Sequence, residues 1–177
     1  MIVSFKRPDA CTSPASTCTC GKVVFQTTGD PIATVICCCD DCQEAGRRPE
    51  ALPGAPPVLD AHVGTAVTLW PNDRIACVEG EDLVDSFKLD DKSITNRAYA
   101  TCCNAAMIIH FDRGPHWKSV FRDRIDGERP VPGSRIQTRF VETAPDDGIA
   151  SYRRFPASLI ARIAWSMVPM LARRLRR

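Results

Sequence analysis

The sequence predicts a mainly β, antiparallel domain with one added C-terminal helix. Three observations carry this reading. Fourteen prolines and ten glycines in 177 residues demand many turns and short elements, which suits sheets better than a helical bundle. Short β-branched and aromatic runs recur at close spacing between turn signals. Only the last stretch shifts to a helical period of about 3.6 residues.

The elements follow in chain order. Residues 1–17 are polar and rich in Pro, Ser and Thr, and are expected to form an irregular lead-in. "KVVFQTT" (22–28) reads as a strand that meets the turn signal Gly29-Asp30-Pro31, and "IATVICCC" (32–39) as the next. "GRRPEALPGAPPVLDAHVG" (46–64) reads as a long loop. Five strands are expected beyond it, in "TAVTLWP", "RIACVEG", "LVDSFKLD", "SITNRAYAT" and "AAMIIHF". Residues 113–150 look loop-rich, with a turn at "RPVPGSR". In the final segment Leu159, Ile160, Ile163, Ala164, Met167, Met170 and Leu171 fall near helical spacing. Pro156 suits its first turn, and Pro169 should kink it. The expected organisation is the lead-in, a β domain over 18–150, and a basic amphipathic helix over 156–177.

A chain of this length can bury one proper core, and 44% apolar with 25% charged residues argues against disorder. A net charge of +2 argues against a nucleic-acid protein, although four arginines crowd into the terminal "RRLRR". The opening "MIVSFKRPDACTSP" holds no apolar run long enough for a secretory leader. The expectation is therefore a cytoplasmic chain whose ten cysteines stay reduced. Metal binding or thiol chemistry then outweighs a disulfide framework.

The cysteines are not scattered. Cys18 and Cys20 lie in "CTCG", Cys37, Cys38, Cys39 and Cys42 in "CCCDDC", and Cys102 and Cys103 in "YATCCNAAM". Strand side chains alternate, so residues two apart share a face about 7 Å apart at the backbone. A C-x-C pair can then close on one ion, a third thiolate can reach it after a turn, and Cys38 should face away. Zinc takes four ligands in closed sites and three plus an open position in catalytic ones. Thiolate ligands favour it over iron here. The set fits two zinc ions, one closed by distant segments and one held by Cys37, Cys39 and Cys42. Against this stand cysteines used as small buried hydrophobes, disulfides, and a double-zinc scaffold without chemistry.

These residues resemble the glutathione-dependent formaldehyde-activating enzymes and their centromere-protein relatives. The family pattern C-x-C-G-x-V-x-F is matched from Cys18 to Phe25. Its C-H-C-x-x-C is matched from Cys37 to Cys42, with Cys38 in place of the histidine. Glu79-Gly80 with Leu83, then Arg97-Ala98-Tyr99, follow in the family's order, so the resemblance spans Cys18 to Met107. The closing C-x-x-C-G is altered: Ala100 stands at its first cysteine, Cys103 at its second and Asn104 at its glycine.

The resemblance implies a β-tent, a sandwich-like fold with two zincs. It also implies a carbon–sulfur lyase of the S-(hydroxymethyl)glutathione synthase type, with glutathione as co-substrate and formaldehyde or a small aldehyde as its partner. The implied structural zinc keeps Cys18, Cys20 and Cys103. Cys102 is the nearest substitute for the lost ligand, provided the chain turns sharply there, and Cys11 is the other candidate. Cys37, Cys39 and Cys42 are the candidate catalytic residues. Gln43 could hydrogen-bond a substrate, and Arg47 and Arg48 could clamp carboxylates of a glutathione-like molecule.

Other residues have plainer readings. Asp40 and Asp41 suit a solvated turn, or else acid–base support of the site. His62, His110 and His116 lie outside the motifs and are expected to be structural. Cys77, Trp70 and Trp117 suit the core or its rim. The terminal helix is expected to pack on its own domain, with peripheral contact to an anionic membrane as the second reading. The alternative overall function is a non-catalytic zinc-stabilised module that docks through this helix. The sequence carries no signal of oligomeric state.

Overall fold

The computed structural model describes residues 14–175. Two sheets dominate. A small antiparallel sheet is ordered β1 (Ala15–Thr17), β2 (Val24–Thr27), β5 (Ile75–Glu79). A seven-stranded sheet runs β10 (Ser134–Ile136), β3 (Ala33–Cys37), β4 (Thr65–Pro71), β9 (Trp117–Phe121), β8 (Ala105–Phe111), β7 (Thr95–Ala100), β6 (Val84–Phe87). All its pairings are antiparallel except β10 with β3. Two helices complete the fold, α1 (Asp40–Glu50) and α2 (Ala157–Leu175). The mainly β architecture with a C-terminal helix is that expected from the sequence.

Alternation along β4 shows how the core is divided. Trp70 enters a layer between the sheets with Val23, Phe25, Ile75 and Met107, while Val67 and Leu69 face a second layer with Val35, Ile136 and Leu159 of α2. A bulge in β8 preserves both layers. Ala98 opposes Ile108 and Tyr99 opposes Ala106, so Met107 is the extra residue.

Four features differ from the sequence reading. The expected turn at Asp40-Asp41 and the start of the expected loop form α1. Its first turn is acidic (Asp40, Asp41) and its last is basic (Arg47, Arg48), both favourable to the helix dipole. Pro49, in the final turn, has no N–H to give the Ala45 carbonyl. Gly46 lets the helix lie against Leu59, whose side chain a Cβ there would overlap. The segment expected to be loop-rich contributes β9 and β10, and β1 occupies the end of the expected lead-in. Cys11 lies outside the described residues.

The remaining loop after α1 is tied down by Arg135, which is buried on β10. Arg135 donates to Asp60 at 2.9 Å and Asp147 at 2.7 Å. Asp60 in turn accepts the backbone N–H groups of His62 and Gly64 at 2.8 and 2.7 Å.

Candidate metal centres

The first cluster forms where β1 ends. Gly21, at φ +80°, lets the chain fold back so that the Gly21 N–H reaches the Cys18 carbonyl at 2.9 Å and the Cys18 N–H reaches Val23 at 3.0 Å. The Val23 N–H then donates to Cys18 Sγ at 3.2 Å. Gly80 braces this knuckle from just beyond β5. Its φ is +69°, and a Cβ there would run into the Lys22 carbonyl. The β7–β8 turn delivers Cys102 and Cys103, helped by Asn104 at φ +55°.

The four sulfurs of Cys18, Cys20, Cys102 and Cys103 all lie within 4.8 Å of one another. Cys18 is 3.6 Å from Cys20 and 3.8 Å from Cys102, and Cys20 is 3.3 Å from Cys102. A tetrahedral ion with metal–sulfur bonds of about 2.3 Å sets its sulfurs about 3.8 Å apart. The spacing therefore fits a closed four-sulfur site. The Lys22 N–H and the Cys102 thiol lower Cys20 to about 7, whereas burial and the hydrogen bond to Cys20 raise Cys102 to about 12.

The second cluster sits where β3 gives way to α1. Cys37 ends β3, Cys39 is the N-cap of α1, and Cys42 lies in its first turn. Their sulfurs also lie within 4.8 Å of one another, with Cys37 and Cys39 at 3.5 Å. Cys39 Sγ accepts the Cys42 N–H at 3.4 Å. Hydrogen bonds from the thiols of Cys37 and Cys42 hold Cys39 down to about 3, and the same sharing pushes Cys37 up to about 12 and Cys42 well above the usual range. The cluster thus concentrates one negative charge at a helix N-terminus, which favours it. Cys38 points to the other side and lies buried, 3.9 Å from Arg135 Nη1.

This cluster could hold a metal ion with one side open. A cavity of about 210 Å³ adjoins it, lined by the three cysteines, Asp41, Arg97 and apolar side chains from the sheet and α2. Arg97, on β7, is only 5% exposed. Its Nη1 donates to the Thr95 carbonyl at 3.4 Å, and its Nε has no hydrogen-bond partner among the described residues. Burial presses its pKa down, while the charges of Cys42, Asp41 and Cys39 pull it up.

The other sequence candidates lie nearby in different roles. Gln43 is buried and donates to the carbonyls of Cys38 at 2.9 Å and Phe140 at 3.2 Å, and it accepts from Arg47 at 3.1 Å. Arg48 pairs with Glu44 at 3.1 Å and stacks 5.9 Å over Phe87. None of the three lines the cavity. No histidine joins either cluster among the described residues, and His116 bonds Ser166 of α2 at 2.7 Å. Trp70 is fully buried, Trp117 walls the cavity, and Cys77 packs against the core. Arg97 went unassigned in the sequence although the signal was present, since it opens the Arg97-Ala98-Tyr99 element.

Residues 13–52 match the family of glutathione-dependent formaldehyde-activating enzymes. The matched stretch carries Cys18 and Cys20 of the first cluster and all three cysteines of the second. A crystal structure of a Rhodobacter sphaeroides protein superposes on 78% of this chain and 98% of its own, with 16% identity and a TM-score of 0.49. No curated protein matches the chain.

Proposed function

We propose that the protein is a zinc-dependent carbon–sulfur lyase acting on the adduct of a thiol, glutathione in the first instance, with formaldehyde or another small aldehyde. One observation carries the reading: three clustered thiols at an open face share a cavity with a buried arginine, Arg97. Zinc is the assigned metal because the donors are thiolates at tetrahedral spacing, four closing one site and three leaving the other open. Bound there, it would supply Lewis acidity toward a substrate sulfur or oxygen.

The chain's own residues divide the remaining work. Breaking a hydroxymethyl thioether removes the hydroxyl proton, turns the oxygen's electron pair into the carbonyl bond, and sends the carbon–sulfur pair out on sulfur. Arg97 is placed to hold that oxygen while it carries negative charge. Asp41, at the cavity wall, takes the proton and returns it to the departing sulfur. Apolar walls keep bulk water from the site. Arg47 and Arg48 are exposed on the last turn of α1, outside the cavity, and are assigned to the carboxylates of glutathione.

The test follows adduct formation and breakdown from glutathione and formaldehyde by NMR exchange, with wild-type chain and Cys39→Ser. The expected result is acceleration by the wild type and none by the variant, with the fold retained. An unaltered rate in Cys39→Ser would remove this cluster from the mechanism. A wild-type rate no better than the uncatalysed one would leave a zinc-stabilised module without this chemistry.

A further inference from the structure

Helix α2 has two apolar faces, and the fold uses only one. The inner face seats Leu159 and Met170, at 4% and 3% exposure, with Ile163 beside them. Arg173 fastens this face by donating to both carboxylate oxygens of Asp73, at 2.8 and 3.0 Å. A helix packed in this way normally turns a polar face to water. Here the outer face presents Ile160, Trp165, Met167, Val168, Leu171 and Leu175, with Trp165 at 76% and Leu175 at 89% exposure. The positions between them on that side, 157, 161, 164 and 172, are all alanine. A contiguous apolar stripe of this kind marks a contact surface.

The charge around the stripe identifies what covers it. From Gly148 to the end the sequence has seven arginines and neither Asp nor Glu. Arg153, Arg154 and Arg162 are exposed. A second copy of the chain would bring a second such set against the first in either orientation, with no carboxylate in the segment to pair with it. An anionic lipid surface meets both demands, taking apolar side chains below its headgroups and arginines among them. The large, amphipathic Trp165 ring suits that boundary. No helix among the described residues is long and apolar enough to cross a membrane, so α2, about 28 Å long at 1.5 Å per residue, would lie in the interface.

We propose that the outer face of α2 docks the protein onto anionic bilayer surfaces. The reading is independent of the chemistry assigned to the cysteine clusters. The experiment is co-sedimentation of the full chain with phosphatidylcholine vesicles, with and without phosphatidylglycerol, at low and high salt. Binding is expected to rise about tenfold or more with phosphatidylglycerol and to fall with salt, since the arginines are attracted to the anionic surface and salt screens that attraction. Val168→Glu/Leu171→Glu should lose binding while keeping the wild-type melting temperature and metal content. Brominated acyl chains should quench tryptophan emission of the bound wild type and not of bound Trp165→Phe, a comparison that does not depend on the double variant folding. No binding to the anionic vesicles, undiminished binding by a folded double variant, or quenching unchanged in Trp165→Phe would overturn the proposal. So would a lipid-free dimer that the double substitution dissociates.

Discussion

Cys102 Sγ lies 3.3 Å from Cys20 Sγ, although 82 residues separate them. The contact brings a fourth sulfur to a cluster whose altered motif has Ala100 at a cysteine position. Ala100 is fully buried between the sheets, whereas Cys102 stands in the β7–β8 turn. Cys102→Ser should therefore empty the four-sulfur site and lower the melting temperature by about 10 °C or more, a loss of about 3 kcal/mol for a chain of this size. Adding Ala100→Cys to that variant should not restore the metal, because the new side chain would enter the core. Metal analysis and thermal melts of both variants check this, and recovery of metal by Ala100→Cys would contradict it.

Arg97 is the test of the cavity. Arg97→Met keeps an unbranched side chain of similar bulk and removes the donors and the charge. Turnover of the adduct should fall about a hundredfold or more, as when one oxyanion donor is lost. Metal content should stay at the wild-type value. A variant that loses metal along with activity would show that Arg97 supports the thiolates instead of the substrate.

The strands were legible where alternation was strong and turns were well marked. β4 and β8 coincide with the runs "TAVTLWP" and "AAMIIHF". α1 was not, because Gly46 and Pro49 gave it the composition of a loop and its N-cap is Cys39, outside the usual Ser, Thr, Asp and Asn set. Its charge asymmetry, acidic then basic, was the available signal. β10 was hidden by its three-residue length and β9 by the loop-like residues around it. For the site, C-x-C and C-x-x-C spacing marked which cysteines could gather, since local geometry governs each. The meeting of Cys102 with Cys20 depends on the β7–β8 turn and Asn104, which spacing does not encode. Arg97 reaches its cavity only through the stacking of β7 in the sheet and the packing of α2.

A pH dependence follows from Arg135. Its hydrogen bond holds the Asp147 carboxyl below the usual range. A carboxyl depressed by folding stabilises the native state above its unfolded pKa, about 3.9, and that contribution fades as pH falls through the lower folded value. Wild type should therefore resist urea better than Asp147→Asn at pH near 7, with the gap closing in acid. Urea midpoints across the acidic range check this, and a gap that widened as pH fell would contradict it.

Metal binding should release protons. Cys37 and Cys42 are held protonated in the metal-free cluster by sharing with Cys39, and thiols ligate as thiolates. Calorimetric titration of metal-free protein in buffers of different ionisation heat should show proton release, and affinity should weaken as pH falls. Binding without proton release would mean that these cysteines are not the ligands.

The two cysteine clusters should hold two zinc ions. Metal content per folded, reduced chain decides this, for wild type and for Cys42→Ser, which alters only the open cluster. About two zinc ions are expected in the wild type and about one in the variant, from the geometry of four and three sulfurs. A well-folded wild type without metal, or one whose content is unchanged by Cys42→Ser, would contradict it.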